Sequence, residues 1–241
     1  MIAEDQFGYL KGRKVSTLLR IIDDVTDYCK QSDSPGLLLA VDFSHAFDCI
    51  SKDYMLQTFK LFGFGDGFLR WVSTLMNDAV SCVGYCGWIS ESFPVEAGIR
   101  QGCPFSPLAF VLAIEVLAIT LRGCSTIKGI KIKQNRPEDF IKLLTAIHAD
   151  DITLFLEDEK DMRFAISIPE DFADISGLIV NKLKTEAMWL GRYRNRHQTF
   201  LGIKWTSKLK ILGIIFSNDK CAPQIDDNWV GRVENCKRII S

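Results

Sequence analysis

The chain has 241 residues, of which 47% are hydrophobic and 24% are charged, a composition typical of a globular protein and unlike that of a disordered one. Its formal net charge of −1 argues against a simple nucleic-acid binder, because such proteins usually carry a basic excess. The charge is uneven, however, since residues 181–220 contain nine Lys or Arg and only one Asp and one Glu. We interpret this segment either as a solvated surface or as a basic track for a nucleic acid, and charge alone does not separate the two.

The cysteines and the apolar runs argue against other classes of protein. The eight cysteines are scattered, and no two have CxxC spacing, so a zinc site is not expected. No signal peptide is recognisable, which favours an intracellular protein with reduced thiols. The most apolar run, Leu108–Leu121, contains Glu115 and is too short to span a bilayer. It therefore predicts a buried helix and no membrane partner.

The hydrophobic pattern of the first hundred residues predicts helices and strands in turn. A turn cluster at 32–36 separates the first helix from a buried strand, and glycines at 63, 65 and 67 separate two later helices. In chain order the predicted elements are a helix over Val15–Cys29, a strand over Leu37–Phe43, a helix capped by Ser51 with Met55, Phe59 and Phe62 inward, a helix over Phe68–Met76, and a hairpin within Val80–Val95.

The second half of the chain continues this mixture. Ser106 and Pro107 form a helix start, with Ser as the N-cap and Pro at the first helical position. The predicted elements are that helix to about Leu121, a strand over Gly129–Lys133, two strands over Phe140–Ile147 and Ile152–Leu156, a helix over Asp158–Ile175 that Pro169 should kink or split, and a strand over Lys208–Phe216. Such an order predicts an α+β fold, in which helices pack on one face of an antiparallel sheet.

Carboxylates stand at two of the predicted strand ends. Asp42 follows five apolar residues, and Asp150 and Asp151 lie at the tip of the later strand pair. Each motif alone is ordinary, because Asp favours turns. If the two strand systems lie side by side, however, three carboxylates converge, and their mutual repulsion favours cations between them. Hard divalent cations prefer such oxygen ligands.

Three separated stretches carry a more specific signal. They are Ala40-Val41-Asp42-Phe43 with Ala46-Phe47-Asp48, Arg100-Gln101-Gly102-Cys103-Pro104 with Ser106-Pro107, and His148-Ala149-Asp150-Asp151. In this order they resemble the reverse transcriptases of non-LTR (LINE-type) retrotransposons and their group II intron relatives. The match also includes Gln6-Phe7-Gly8-Tyr9, Gly12-Arg13, Phe62-Gly63-Phe64, Ser176-Gly177-Leu178, Asn181 and Leu212-Gly213-Ile214. It implies a polymerase-type palm with partial fingers.

The resemblance implies an RNA-directed DNA polymerase that adds deoxynucleotides to a primer 3′-hydroxyl by two-metal phosphoryl transfer. Its partners would be an RNA template, a DNA primer and deoxynucleoside triphosphates, and its cofactors two Mg²⁺ or Mn²⁺ ions. Asp42, Asp150 and Asp151 would hold the metals, with the backbone of Phe43 near one of them. The other implied roles are a general acid at Lys184, a steric gate against the sugar 2′-hydroxyl at Phe47, nucleotide and template contacts at Arg100, Gln101 and Gly102, and a primer grip at Leu212 and Gly213.

The resemblance also implies a division into partial fingers over 1–36, a palm over 37–217 that includes a hairpin at 78–100, and the start of a thumb or a truncated tail over 218–241. His148 stands where Tyr or Phe is usual, and Pro169 falls in a helix that is usually intact. The upstream fingers strands, most of a thumb and an endonuclease motif have no counterpart. We therefore expect a fragment of a longer retrotransposon polyprotein, located in the nucleus if the element is active.

Two other hypotheses remain open. One is a decayed or domesticated remnant that folds and binds nucleic acid weakly but catalyses nothing, which His148 and the missing fingers favour. The other is a different palm enzyme, such as a nucleotide cyclase. The Arg100–Pro104 stretch argues against a cyclase, because that enzyme has no template to position. Primer extension on an RNA template would separate these hypotheses.

Overall fold

The computed structural model describes residues 2–77, 79–133, 140–196, 201–219 and 228. Within these residues the helices are α1 (Val15–Ser32), α2 (Ala46–Cys49), α3 (Lys52–Leu61), α4 (Asp66–Met76), α5 (Phe105–Gly123) and α6 (Glu159–Ser176). The strands are β1 (Gly36–Val41), β2 (Val80–Ser81), β3 (Gly84–Tyr85), β4 (Trp88–Ile89), β5 (Phe93–Pro94), β6 (Ile130–Lys133), β7 (Phe140–Leu143), β8 (Thr145–His148), β9 (Asp151–Leu156), β10 (Glu186–Leu190), β11 (Lys204–Trp205), β12 (Lys208–Ile211) and β13 (Ile214–Ser217).

Five strands form the central sheet, in the order β11-β10-β1-β9-β8. β1 pairs antiparallel with β9 on one side and with β10 on the other, whereas the edge pair β10–β11 is parallel. The run Leu37–Val41 suits β1 to this central place, because strands covered on both faces are usually apolar at every position. The predicted α+β fold around an antiparallel sheet is confirmed.

Both faces of the sheet are covered. On one face, α3, α5 and α6 contribute to a large hydrophobic cluster that contains Leu37, Leu39 and Val41. On the other face, α1 and the β12–β13 hairpin pack with Leu38 and Phe155. Helices were predicted on one face, and α1 is the addition on the other. Its buried apolar side chains recur three or four residues apart, at Leu18, Ile22, Val25 and Cys29, and so form a continuous apolar stripe.

The start of α5 differs from the prediction. The helix begins at Phe105 with Pro104 as its N-cap, and no side chain caps it. Ser106 and Pro107 are thus the second and third residues of the helix, and Ser106 is buried. Pro107 is tolerated there because the first four backbone N–H groups of a helix have no partner within it. The missing donor therefore costs no helical hydrogen bond.

Among the described residues, α5 is the one helix that is long and apolar enough to cross a bilayer by length and composition alone. It has 19 residues, more than the run Leu108–Leu121 from which it was predicted. Its side chains nevertheless belong to the core, since Phe110, Ile114 and Leu117 are completely buried beneath the sheet. We therefore interpret α5 as the buried helix that the sequence predicted.

A split of α6 at Pro169 does not occur, because Glu159–Ser176 forms one helix. Both of its ends are stabilised. The Asp158 side chain accepts two backbone N–H bonds from the first turn, and Gly177 closes the helix in a left-handed conformation with φ of 78°. Pro169 is buried, so packing offsets its effect, which would otherwise destabilise a helix interior by about 3 kcal/mol.

The predicted strand over Phe140–Ile147 is two strands. β7 pairs with β6 in a separate two-stranded ladder, whereas β8 pairs with β9 in the central sheet. Leu144 lies between them, and its carbonyl accepts a hydrogen bond from the Phe155 N–H at 2.8 Å. One apolar run thus contributes to two sheets, a division that hydrophobic periodicity does not reveal.

The predicted strand over Lys208–Phe216 is a hairpin of β12 and β13, with Leu212 and Gly213 as its turn. Both turn residues have positive φ, 48° and 84°, as a two-residue turn of type I′ requires. The hairpin predicted within Val80–Val95 is present as two ladders, β2–β5 and β3–β4. The predicted thumb start at 218–241 lies almost wholly outside the described residues.

Two glycines should respond to alanine in opposite directions. Gly191 has φ of 52°, and a Cβ there would lie 1.8 Å from the Ser34 carbonyl oxygen. We expect Gly191→Ala to lower the free energy of unfolding by at least about 3 kcal/mol, through strain and backbone displacement.

Gly67 lies inside α4 rather than between the helices, and a Cβ there would meet nothing within 4 Å. Gly67→Ala should therefore stabilise by about 0.5–1 kcal/mol. Urea denaturation of both variants measures this, and equal changes would contradict it.

Candidate active site

Asp42 lies directly after β1, and its backbone is held on both sides. Its N–H donates to the Thr185 hydroxyl at 3.2 Å, and its carbonyl accepts from the Asn181 N–H at 2.8 Å. The next residue, Phe43, forms an isolated β-bridge with Val180. The end of β1 is thus fixed against the turn that precedes β10. In the Asp42 side chain, the Oδ2 atom is buried with no hydrogen-bond partner among the described residues.

Asp150 and Asp151 come from the hairpin that joins β8 and β9. Ala149, with φ of 56°, and Asp150 form its turn, and Asp151 opens β9 opposite His148. β9 runs antiparallel to β1, with Ile152 paired to Val41. Asp151 precedes Ile152 and Asp42 follows Val41, so the end of β1 and the start of β9 lie side by side at one end of the sheet. The structure thus places the chain segments that carry the three aspartates next to one another.

The charges of this edge act on one another. Burial raises the pKa of Asp42, and the charge of Asp150 raises it further, whereas the Lys184 ammonium lowers it. Loss of hydration raises the pKa of Asp151, and Asp150 and Asp42 add to the rise, whereas His148 lowers it. Because Asp151 is exposed as a whole residue, the charges of its carboxylate neighbours contribute more to this rise than burial does. All five side chains therefore belong to one electrostatic unit.

A divalent cation suits this unit in two respects. It would give the buried Oδ2 of Asp42 a partner, and its charge would offset both the burial and the carboxylate repulsion that raise the two pKa values. Among the described residues, however, no three His, Cys, Asp or Glu side chains form a group that could hold a metal ion. A metal here would need further oxygen ligands. Mg²⁺ usually binds in that way, through one or two carboxylates together with water and substrate phosphates.

Phe47 lies on α2 and packs against the large hydrophobic cluster. Its half-buried ring stacks on Phe110 of α5, with centroids 4.6 Å apart and planes 16° apart. Its carbonyl accepts from the Ile99 N–H at 2.8 Å. Gly98 is needed at this contact, because it has φ of 84° and a Cβ would lie 2.7 Å from the Asp48 carbonyl oxygen. The loop that carries the Arg100–Pro104 motif is therefore docked on α2.

The predicted residues of that loop, Arg100, Gln101 and Gly102, are all exposed. Gln101 Nε2 donates to the Asp48 carboxylate at 3.3 Å. Gly102 has φ of 83° and nothing within 4 Å of a built Cβ, so the turn itself requires glycine and a ligand can approach its backbone. A cleft of about 550 Å³ opens beside the loop, and its lining includes Asp48, Lys52, Leu75, Gly98, Arg100, Gln101 and Phe105.

Lys184 lies near Asp42, whereas the β12–β13 hairpin lies on the other face of the sheet. Lys184 is exposed in the turn before β10, which is closed by N–H bonds from Lys184 and Thr185 to the Asn181 carbonyl at 3.2 and 2.8 Å. It is near enough to Asp42 to lower the pKa of that carboxyl. Leu212, in contrast, packs with the cluster under α1 on the other face of the sheet. The predicted roles of these residues stay predictions.

The basic segment 181–220 is partly neutralised within the described residues. Some of its charges pair with carboxylates, and the Arg196 guanidinium lies over the Tyr193 ring, 3.6 Å from its centroid. These contacts favour the interpretation of part of the segment as a solvated surface and not as a track for a nucleic acid. The ion pairs are Lys182–Glu170 at 2.6 Å, Arg194–Asp33 at 3.1 Å, and Lys204–Glu186.

Two residues of the site were not predicted. Thr185 holds the backbone of Asp42, and Asp48 holds Gln101. A threonine next to a lysine forms no recognisable sequence pattern, and the contact between Thr185 and Asp42 exists only once β1 and β10 are paired. Asp48 directly follows the predicted Phe47, and that adjacency was the one available signal.

Comparison with known proteins agrees with the motifs. The family model described as "Reverse transcriptase (RNA-dependent DNA polymerase)" matches residues 1–216. The chain is 26% identical to the uncharacterized 149 kDa protein of transposon TX1 from Xenopus laevis, over 98% of the chain. It is also 26% identical to the Pol polyprotein of the type-2 retrotransposable element R2DM from Drosophila melanogaster, over 92% of the chain. It spans only 18% and 22% of the lengths of these relatives.

Among solved structures, apo telomerase from Candida tropicalis truncated from its C-terminal domain matches with a TM-score of 0.59. The match has 10% identity and covers 89% of this chain and 39% of that one. Identity at this level shows the fold alone, and that fold is the polymerase palm type expected from the motifs. Since the family model covers most of the chain and the retrotransposon relatives align along nearly all of it, the chain belongs to the reverse transcriptase (RNA-dependent DNA polymerase) family.

Proposed function

We propose that this chain carries out RNA-directed DNA synthesis, adding deoxynucleotides to a primer 3′-hydroxyl with two divalent metal ions. The observation that carries the proposal is that Asp42 adjoins the Asp150–Asp151 hairpin at one end of the sheet, where the buried Oδ2 of Asp42 has no hydrogen-bond partner among the described residues. Membership of the reverse transcriptase family supports it, because that family generally uses divalent metal ions. Mg²⁺ or Mn²⁺ fits the all-oxygen character of the site.

The residues at the end of β1, in the aspartate hairpin and in the turn before β10 would each have a separate role in nucleotide addition. Asp42, Asp150 and Asp151 would hold the ions, with the Phe43 backbone beside them. When bound, the ions would activate the primer hydroxyl and neutralise charge on the leaving pyrophosphate. Lys184, whose ammonium lies near enough to Asp42 to lower its pKa, would give a proton to that pyrophosphate. Its exposure leaves it free to follow the leaving group.

The substrates would lie around the docked loop. Phe47 would support the sugar of the incoming nucleotide, and Arg100, Gln101 and Gly102 would contact the nucleotide and an RNA template along the 550 Å³ cleft. Leu212 and Gly213 would grip a DNA primer. We retain the division into partial fingers at 1–36 and palm at 37–217, and a nuclear location, as parts of this proposal.

A second candidate function is an inactive remnant that folds and binds nucleic acid weakly. Two observations favour it: the described residues contain no ready group of three metal-binding side chains, and His148 replaces the aromatic residue usual before the two aspartates. Primer extension on an RNA template, with Mg²⁺ and with Mn²⁺, distinguishes the two candidates. Extension by the chain supports the polymerase, and its absence with both metals supports the remnant.

Replacing one metal-site carboxylate should remove activity without unfolding the protein. We expect Asp150→Asn to reduce primer extension at least on the order of 100–1000-fold, because it removes charge stabilisation of the transition state. The melting temperature should not fall, because the charge of Asp150 repels Asp42 and Asp151 in the folded protein. Asp171→Asn, on the exposed side of α6, is the matched control and should retain full activity. Loss of activity in both variants would contradict the assignment.

Shortening Phe47 should relax the choice of sugar. Phe47→Ala removes the ring that would occlude a 2′-hydroxyl, so the ratio of deoxyribonucleotide to ribonucleotide incorporation should fall about 10–100-fold, the range expected when shape alone discriminates. The ratio is measured within one variant and is therefore insensitive to the fraction folded. Phe64→Ala, in the aromatic cluster with Phe59 and Phe68, is the control. An unchanged ratio in Phe47→Ala would show that this ring serves only the core.

The charge of Asp42 should make the metal-free protein less stable at neutral pH. Because the pKa of Asp42 is raised in the folded state, the folded chain holds this proton more tightly than the unfolded chain does. The resulting stabilisation is complete below the ordinary Asp value of about 4 and is lost as the pH rises through the folded pKa. We therefore expect Asp42→Asn to raise the melting temperature at pH 7, and the gain to shrink towards pH 4.

Calorimetry of wild type and Asp42→Asn between pH 4 and 8, in EDTA, measures this difference. Asp171→Asn serves again as the control and should show no such trend. Added Mg²⁺ should stabilise the wild type and not Asp42→Asn, because binding to the folded state alone raises stability. A lower melting temperature for Asp42→Asn across the whole range would contradict the sign of the effect.

A further inference from the structure

The segment Asp5–Tyr9 adds to the edge of the central sheet next to β8. The Phe7 N–H donates to the Ile147 carbonyl at 2.7 Å, and the Ile147 N–H donates to the Asp5 carbonyl at 2.8 Å. Gln6 forms a parallel bridge with Ile147. This segment therefore runs beside the strand that leads directly into Ala149 and Asp150.

Polar contacts fix the segment from both ends. The Asp5 carboxylate accepts two hydrogen bonds from Arg122 at 2.9 Å and a further one from the Thr145 hydroxyl. The Arg13 guanidinium donates to the Gln6 carbonyl at 2.5 Å. Charge-assisted bonds of this kind are stronger than neutral ones, so the backbone around Gln6 is well constrained.

The side chain of Gln6 is completely buried and reaches the turn of the aspartate hairpin. Its Oε1 accepts from the Gly8 N–H at 2.7 Å and from the Ala149 N–H at 3.1 Å. Both partners are donors, so the atom that faces them has to be the carbonyl oxygen, and the amide has one orientation. A Cβ on Gly8 would lie 2.6 Å from the Ala149 nitrogen, which shows how closely the two backbones approach.

The turn that Gln6 contacts is itself a demanding one. Ala149 is buried and has φ of 56°, a backbone conformation that residues other than glycine rarely adopt. Without the Gln6 oxygen, its N–H would be a buried donor with no partner, which is costly. The conformation of the residue before Asp150 thus depends on one side chain from the distant N-terminal segment.

We propose that Gln6 is a positioning residue of the active centre: by accepting the Ala149 N–H, it sets the place of Asp150 and Asp151 relative to Asp42. The segment Asp5–Tyr9 would then belong to the catalytic apparatus as well as to the fingers. Gln6 acts through Ala149 and touches no substrate. Its consequence for catalysis rests on the proposed polymerase function, whereas its structural effect does not.

The structural effect is measured by residue-resolved amide hydrogen exchange. Gln6→Met has nearly the same shape and lacks the acceptor, so the Ala149 amide should exchange about tenfold faster, as the loss of one hydrogen bond implies. Gln6→Glu keeps an oxygen facing both donors, and because burial favours the neutral form of its carboxyl group, it should retain most of the protection. The Phe155 amide, bonded to the Leu144 carbonyl, is the internal control and should not change. Unchanged exchange at Ala149 in Gln6→Met would overturn the proposal.

The catalytic effect is measured by steady-state primer extension with the same variants. Gln6→Met should lower kcat about 100-fold, the loss expected for a small displacement of catalytic groups, and leave the KM for nucleotide nearly unchanged. Gln6→Glu should restore most of kcat. Ile114→Val, in the α5 core, is the control for lost stability. Equal kcat in Gln6→Met and Ile114→Val at equal loss of melting temperature would overturn the positioning role.

The two measurements fail separately. If the wild-type chain extends no primer, the proposed polymerase function fails, and hydrogen exchange at Ala149 still decides the structural effect of Gln6. If the wild type extends primers and Gln6→Met does so equally well, the polymerase stands and the positioning role is refuted.

Discussion

The register between β1 and β9 is the constraint on which the candidate site depends. Val41 pairs with Ile152, and this pairing brings Asp42 to the same edge as Asp151. A slip of one residue would turn every β1 side chain to the opposite face of the sheet. The carboxylates would then separate, and the charge of Asp42 would no longer raise the pKa of Asp151. The chemistry of the site is thus decided by strand pairing.

Hydrophobic pattern does not specify this register, because β1 is apolar on both of its faces. Contacts at its two ends instead fix the position of β1 against α1 and against the turn before β10. At the start, a Cβ on Gly36 would lie 3.1 Å from Cys29 Sγ, so a larger residue of β1 in that place would have to displace its neighbours. At the end, the backbone of Asp42 is bonded on both sides, to Thr185 and to Asn181. A slip would lose both bonds and force a leucine into the space beside Cys29.

Much of this arrangement could be predicted from the sequence, and what could not has a common cause. The strand before Asp42 and the turn at Asp150 follow from local rules, since apolar runs form buried strands and Asp favours turns. The unbroken helix at Pro169 and the division of a strand at Leu144 depend on neighbours distant in the chain. The contact of Gln6 with the aspartate hairpin likewise appears only when the N-terminal segment lies beside β8. Family resemblance named the site residues, whereas pairing and packing determine how they are held.

The docking of the Arg100–Pro104 loop on α2 has a consequence for substrate choice. α2 has four residues, too few for a helix to be stable by itself, so its orientation is inherited from its neighbours. Gly98 and Ile99 supply two of the backbone bonds that orient it, to Ile50 and to Phe47. The loop and the ring therefore move as one body. If the loop and Phe47 have the roles proposed above, a change in the contact with the template would also alter the discrimination between sugars, so accuracy in copying and selectivity for DNA precursors would evolve together.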